Sequence, residues 1–146
     1  MREHGEFSVH LIGQRLLWVV VHGAINRECA EAYRDQVGAA AAQLQGSPWI
    51  RVTDIRHWQL CGPEAIPPLN QLMMQCEAGG LAHSINIVAM ENLQAHLLNL
   101  MMAGVDRHSE RHLTRDLGQT LKLLADLGET VPGPGQLALI YPHGDG

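Results

Sequence analysis

The stretch TDIRHWQLCGPEA, Thr53 to Ala65, gathers several groups able to bind or react: Asp54, His57, Trp58, Cys61, Gly62 and Glu64. An aspartate at the C-terminal end of a strand sits where open α/β sheets place ligands, so Asp54 suits a partner's cation or a ligand's donor group. The same residue type accepts hydrogen bonds from its own loop backbone, and that local use is the favoured reading. His57 and Trp58 admit two readings. An aromatic beside a polar ring suits an exposed contact surface, whereas a loop tryptophan also serves as a lid on the core. Cys61 stands near a helix start, which lowers a thiol's pKa. No base is fixed beside it by sequence, and nucleophilic catalysis needs one.

The nine histidines raise the question of a metal. His108 and His112 are four apart, the spacing that puts two ligands on one helical face. Their surroundings, DRHSERHLT, lack apolar helical periodicity, no HExxH arrangement follows, and the other histidines are dispersed. On a strand the same spacing shares a face but holds the rings too far apart to chelate. The expectation is solvated histidines, no metal and no cofactor. The pairs Met73-Met74 and Met101-Met102 would suit an adaptable apolar pocket, although core or dimer contact is their commoner use.

The groups that must be positioned sit in a chain of 146 residues, the size of one ordinary domain. Ten Lys and Arg against fifteen Asp and Glu leave a formal charge of -5, and the basic residues are scattered, which argues against a nucleic-acid partner. Three cysteines, Cys29, Cys61 and Cys76, match neither a disulfide framework nor a paired metal motif, so a reducing compartment is expected. The longest apolar run, Leu16 to Val21, is far short of a membrane span, and the charged start MREHGE lacks the apolar core of a signal peptide. The expectation is a cytoplasmic protein.

Phe7 to Ile12 and Leu16 to His22 are apolar and β-branched around Gly13-Gln14-Arg15, a hairpin. Asn26 caps a helix with Ala30, Tyr33, Val37, Ala41 and Leu44 on one face, and Gly46-Ser47-Pro48 stops it. Trp49 to Ile55 alternates as a strand. Ile66, Leu69, Met73 and Cys76 keep helical spacing up to Gly79-Gly80, with Pro67-Pro68 placing the regular start near Pro67 rather than Pro63. His83 to Ala89 is a further strand; Asn92 caps a helix ending before Gly104; Arg111 to Thr114 is a short strand; and Asp116 or Thr114 starts a helix that Gly128 stops. Strands separated by helices imply parallel pairs with right-handed crossovers, and the hairpin adds an antiparallel pair.

The hairpin, the helix after GAIN, the strand ending VTDIR, the loop into GPEAI, the strand INIVA and the segment leading into RDLGQTLKLLADLG together resemble the STAS domains, in particular the SpoIIAA-like group related to anti-sigma-factor antagonists. The resemblance implies an α/β fold: a single-domain mixed β-sheet with about four helices in the order ββαβαβα(β)α. It spans residues 7–128, leaving 129–146 as a Pro/Gly linker and an apolar C-terminal extension. Signalling members carry an Asp-Ser-Ser-Gly-like stretch after the third strand, where phosphorylation beside a helix N-terminus alters a docking surface. The matching stretch is Gln59-Leu60-Cys61-Gly62, and no Ser, Thr or Tyr lies from Ile55 to Gly62, so that switch is absent.

Two functions remain open. One is a non-enzymatic regulatory module whose surface around Asp54, His57, Trp58, Cys61, Gly62 and Glu64 meets a protein partner. The other is a carrier or sensor holding a small apolar or lipid-like ligand between helices and sheet, in keeping with the likeness of STAS domains to lipid-binding folds. The apolar segment Leu137 to Tyr141 is expected to add as an edge strand to its own sheet or a neighbour's, the latter giving a homodimer.

Overall fold

The computed structural model describes residues 5–59 and 62–144, and for 91 and 92 the backbone alone. Its elements are β1 (Glu6–Ile12), β2 (Leu16–Gly23), α1 (Arg27–Leu44), β3 (Trp49–Trp58), a 3-10 turn (Pro63–Ala65), α2 (Ile66–Ala78), β4 (Leu81–Ile87), α3 (Glu91–Met101), β5 (Glu110–Thr114), α4 (Leu117–Asp126) and α5 (Pro134–Ile140). The strands form one five-stranded sheet in the order β1-β2-β3-β4-β5. Gly13, at φ 62, closes the antiparallel hairpin β1–β2, and every later pair is parallel because a helix carries the chain back between strands.

Both faces of the sheet are covered. Leu17, Val19 and Val21 of β2 point into a core made with α1, α2 and α3, through Val37, Leu72 and Leu98 among others. Trp18 and Val20 of the same strand alternate onto the other face, where Ile50, Val52, Ile85 and Ile87 meet Leu124 of α4 and Ile140 of α5. This double covering explains why Arg51 and Thr53, which look solvent-facing in an alternating strand, are buried. They face the α1–α3 layer.

The helix starts follow local chemistry. Asn26 accepts from Cys29 N at 2.8 Å and Asp116 from Gln119 N at 2.8 Å, each satisfying an orphan donor. Asn92 does not cap α3: the helix starts at Glu91 with Met90 in the cap position, so Asn92 lies within it, its side chain outside the described residues. The Gln94 side chain reaches back instead, its Oε1 accepting from Ala89 N at 2.8 Å and Met90 N at 3.0 Å.

The C-terminal extension is the main departure from expectation. Leu137 to Tyr141 adds to no sheet edge; α5 is a helix lying across the second face of its own sheet, with Ile140 only 5% exposed. Gly133 caps it, Pro134 sits at its first turn, where a missing N–H is harmless, and Gln136 Oε1 accepts from Gly133 N at 3.0 Å. The helix covers apolar surface that a β-strand at the edge would have left wet, and the strand-addition route to a homodimer is removed.

Candidate functional site

Asp54 does not end its strand. β3 continues to Trp58, and three residue steps from Asp54 to His57 oppose two from Val20 to His22, so an extra residue is accommodated in β3 as a bulge. The bulge re-aims the side chains beyond it. Ile55 and Trp58 both enter the α1–α3 core, while His57 turns outward and stacks on His22 with ring centroids 5.4 Å apart. Gln59 N donates to Gly23 O at 2.9 Å and extends the pairing one residue further.

Asp54 is 1% exposed and fully engaged within the chain. Its Oδ1 accepts from Arg56 N at 3.1 Å and Arg56 Nε at 3.0 Å; its Oδ2 accepts from Arg56 Nη2 at 2.8 Å and from Tyr141 Oη at 2.6 Å. Trp18 Nε1 in turn donates to Tyr141 Oη at 3.1 Å. Burial by itself raises the Asp54 carboxyl, but the hydrogen bonds from Arg56 and Tyr141 outweigh it and hold the group below the ordinary carboxylate value. Asp54 therefore presents no outward carboxylate; it fastens the C-terminal helix to the centre of the sheet. Trp58, 7% exposed, is a lid on the core, with its Nε1 buried and lacking a hydrogen-bond partner.

Between the end of β3 and the start of α3 lies a groove of about 490 Å³, lined by Arg56, His57, Trp58, Gln59, Met90, Leu93, Gln94 and Leu97. Met90 is 62% and Leu93 36% exposed at its rim, and Leu100 follows on α3 at 42%. Gln94 fixes this frame: besides capping α3 it donates from Nε2 to Ile55 O at 2.6 Å, tying the helix start to the bulge. Of the residues singled out in the sequence, His57 and Trp58 reach the groove. Gly62 caps the 3-10 turn, Glu64 is exposed within that turn, and Cys61 lies outside the described residues. Gln94, Met90 and Leu93 were missed. The signal for Gln94 was a glutamine one turn into a helix, able to reach back as in a capping box.

A second, smaller space of about 30 Å³ lies between sheet and helices, bordered by Tyr33, Arg51, Ile55, Trp58, Leu69 and Met73 among others. That is room for about one water molecule. Arg51, 5% exposed, donates from Nη2 to Ser84 Oγ at 2.9 Å, but its Nε and Nη1 have no hydrogen-bond partner. The Cys76 thiol lies near this cation, and burial pushes its pKa up despite it. Glu77, also buried, accepts from His108 N, Ser109 N and Ser109 Oγ and so anchors the segment entering β5. Ser8 Oγ and His10 Nε2 stand 3.0 Å apart on β1, yet among the described residues no carboxylate orients that ring as a hydrolytic triad requires. No described helix is long and apolar enough to cross a membrane.

No family model matches the chain, and no curated protein does. Solved structures do match. A protein of the DUF3478 family with a SpoIIAA-like fold from Shewanella loihica superposes with a TM-score of 0.62 at 15% identity, over 83% of this chain and 94% of that one. The anti-sigma factor antagonist SpoIIAA in its unphosphorylated form gives 0.58 at 7% identity, over 82% of this chain and 98% of that one. An anti-sigma factor antagonist from Mycobacterium paratuberculosis gives 0.54 at 17% identity, over 84% and 95%. Shared architecture at such identities speaks for fold and not for activity. The chain has the SpoIIAA-like fold.

Proposed function

We propose that the chain is a non-enzymatic, regulatory protein-interaction module, and that its docking surface is the groove between the end of β3 and α3. The observation that carries this reading is the pairing of exposed Met90 and Leu93 with a concave floor of about 490 Å³. That volume falls in the range of ordinary binding clefts. Methionine at a rim adapts to varied apolar shapes, and the His57 and Gln59 side chains supply polar contacts beside it. The occupant with matching chemistry is a protein segment presenting one or two apolar anchor side chains. Two of the similar structures are anti-sigma factor antagonists, which supports a partner-directed role by analogy.

The test is a photo-crosslinking residue placed at Leu93 and, in a separate protein, at Lys122 on α4, each expressed in the native host. The reading predicts one defined protein adduct from position 93 that position 122 does not give, and at least about a tenfold loss of that partner's affinity on Leu93→Asp. Adducts that are the same from both positions, or an affinity that ignores Leu93→Asp, would refute it.

The carrier reading draws support from Arg51. A buried guanidinium whose Nε and Nη1 reach no oxygen acceptor, with the Cys76 thiol as their neighbour, is suited to an acidic group on a ligand whose apolar part lies along Leu69 and Met73. With room for about one water, a ligand larger than a small anion enters only if α2 or α3 moves outward. Native mass spectrometry of protein purified gently from its host decides: an adduct of a few hundred daltons that Arg51→Met abolishes supports it, and a clean mass counts against it.

A further inference from the structure

At the sheet edge formed by β5, on the face packed by α4, three side chains with metal-ligating atoms converge. In the parallel β4–β5 ladder His83 pairs with Glu110 and Ile85 with His112, so the two-residue period puts His83, Glu110 and His112 on one face. Ile85 identifies that face as the one shared with Leu124. The sequence suggested His108 as the mate of His112; His108 instead precedes β5 with its side chain 65% exposed, and the mate comes from the neighbouring strand.

His83 Nδ1 and His112 Nε2 are 3.1 Å apart, and His112 Nε2 and Glu110 Oε1 3.8 Å apart. One donor atom from each of the three residues lies within 4.8 Å of the others. Tetrahedral coordination with bonds of about 2.0 to 2.2 Å requires neighbouring donors about 3.3 to 3.6 Å apart. The two measured separations straddle that interval and the third, His83 to Glu110, lies within 4.8 Å, so closing the set on one ion calls for rotation of the exposed Glu110 side chain toward the two rings. A ring-to-ring hydrogen bond and a His112–Glu110 ion pair would account for each contact separately; what a metal adds is one centre for all three donors, which lie within 4.8 Å of one another. The His112 side chain is 19% exposed and Glu110 73%, which pairs a half-buried imidazole with a carboxylate that can swing inward.

We propose that His83, His112 and Glu110 bind one divalent transition-metal ion of the zinc, cobalt or nickel class. Two imidazoles and one carboxylate are borderline donors that favour these ions over magnesium or calcium. Three protein ligands leave a coordination position open to water or to an outside ligand. Because the ligands come from two strands, the ion cross-links β4 to the short edge strand β5 and stabilises the folded chain by an amount that grows with the logarithm of the free ion concentration above its dissociation constant.

The untagged full-length chain, stripped with a chelator, is titrated with Zn²⁺ alone by calorimetry and with Co²⁺ by absorption spectroscopy. Expected are one equivalent per chain, visible Co²⁺ bands of a low-symmetry four-coordinate site, and a Tm that rises with Zn²⁺. His83→Ala and His112→Ala should each weaken binding at least about tenfold, since even groups that merely support ligands contribute that much. Glu110→Gln should weaken it less, and His108→Ala should leave it unchanged. Circular dichroism checks that the variants fold. If either does not, the ring ¹⁵N shifts of the wild-type chain decide, His83 and His112 moving with Zn²⁺. No saturable binding at one equivalent, binding that folded His83→Ala and His112→Ala leave intact, or ring shifts confined to other histidines would overturn the proposal.

Discussion

Replacing Tyr141 with phenylalanine removes one hydroxyl and leaves the ring in place. That hydroxyl donates to Asp54 Oδ2 at 2.6 Å and accepts from Trp18 Nε1 at 3.1 Å. A hydrogen bond to an ionised carboxylate is worth about 1.5 to 3 kcal/mol, and a buried N–H left without an acceptor costs about 1 to 3 kcal/mol. Trp18 is 0% exposed, but Tyr141 is only partly buried and water recovers some of the loss. The net cost is about 2 to 3 kcal/mol, or a fall in Tm of about 6 to 9 °C for a chain of this size. The effect has a pH signature. Asp54 is held below its ordinary value of 3.8, and a carboxylate depressed in the folded state contributes stability above its unfolded pKa that is lost as pH falls through the folded one. Since Tyr141 is part of what depresses it, the gap between wild type and Tyr141→Phe is full near neutrality and narrows below about pH 3.8. Thermal melts by circular dichroism across the acid range measure it. A neutral-pH difference under about 2 °C, or a gap that widens on acidification, would refute the idea that this hydroxyl fastens the C-terminal helix to the sheet.

Other perturbations separate framework from surface. Gln94→Ala removes the acceptor for Ala89 N and Met90 N and the donor to Ile55 O, so denaturant unfolding should show a loss of about 2 to 3 kcal/mol. Leu93→Asp, on an exposed rim, should leave the unfolding free energy within about 0.5 kcal/mol of wild type while weakening partner binding at least about tenfold. Arg51→Met replaces a buried guanidinium that satisfies only part of its donors; urea unfolding should show no loss of stability and a gain of up to about 2 kcal/mol. Ile140→Ala, at the inner face of α5, should cost about 2 to 4 kcal/mol and so confirm by unfolding that the extension is part of the folded unit.

The order of strands and helices was legible because punctuation and periodicity agreed. Gly13, Asn26, Gly46 and Asp116 each stand where the sequence alone places a turn or cap. The C-terminal segment was misread for a physical reason: five apolar residues between prolines carry no period long enough to separate a strand from a short buried helix. The bulge in β3 was invisible because it arises from pairing with β2, so Asp54 looked like a strand end and Trp58 like a loop residue. The groove was half legible. His57 and Trp58 are local to the conspicuous stretch, whereas Met90, Leu93 and Gln94 join them only through the adjacency of β3 and β4. His83 and His112 are 29 residues apart in sequence, and only the β4–β5 register brings them together.

The most direct measurement is the footprint of the crosslinked partner on the isotopically labelled chain, read by backbone and methyl NMR. The account predicts shifts concentrated at His57, Gln59, Met90, Leu93 and Leu97, with α4 and α5 unmoved. A footprint centred on α4, α5 or the β1 edge, with those groove residues unchanged, would contradict it.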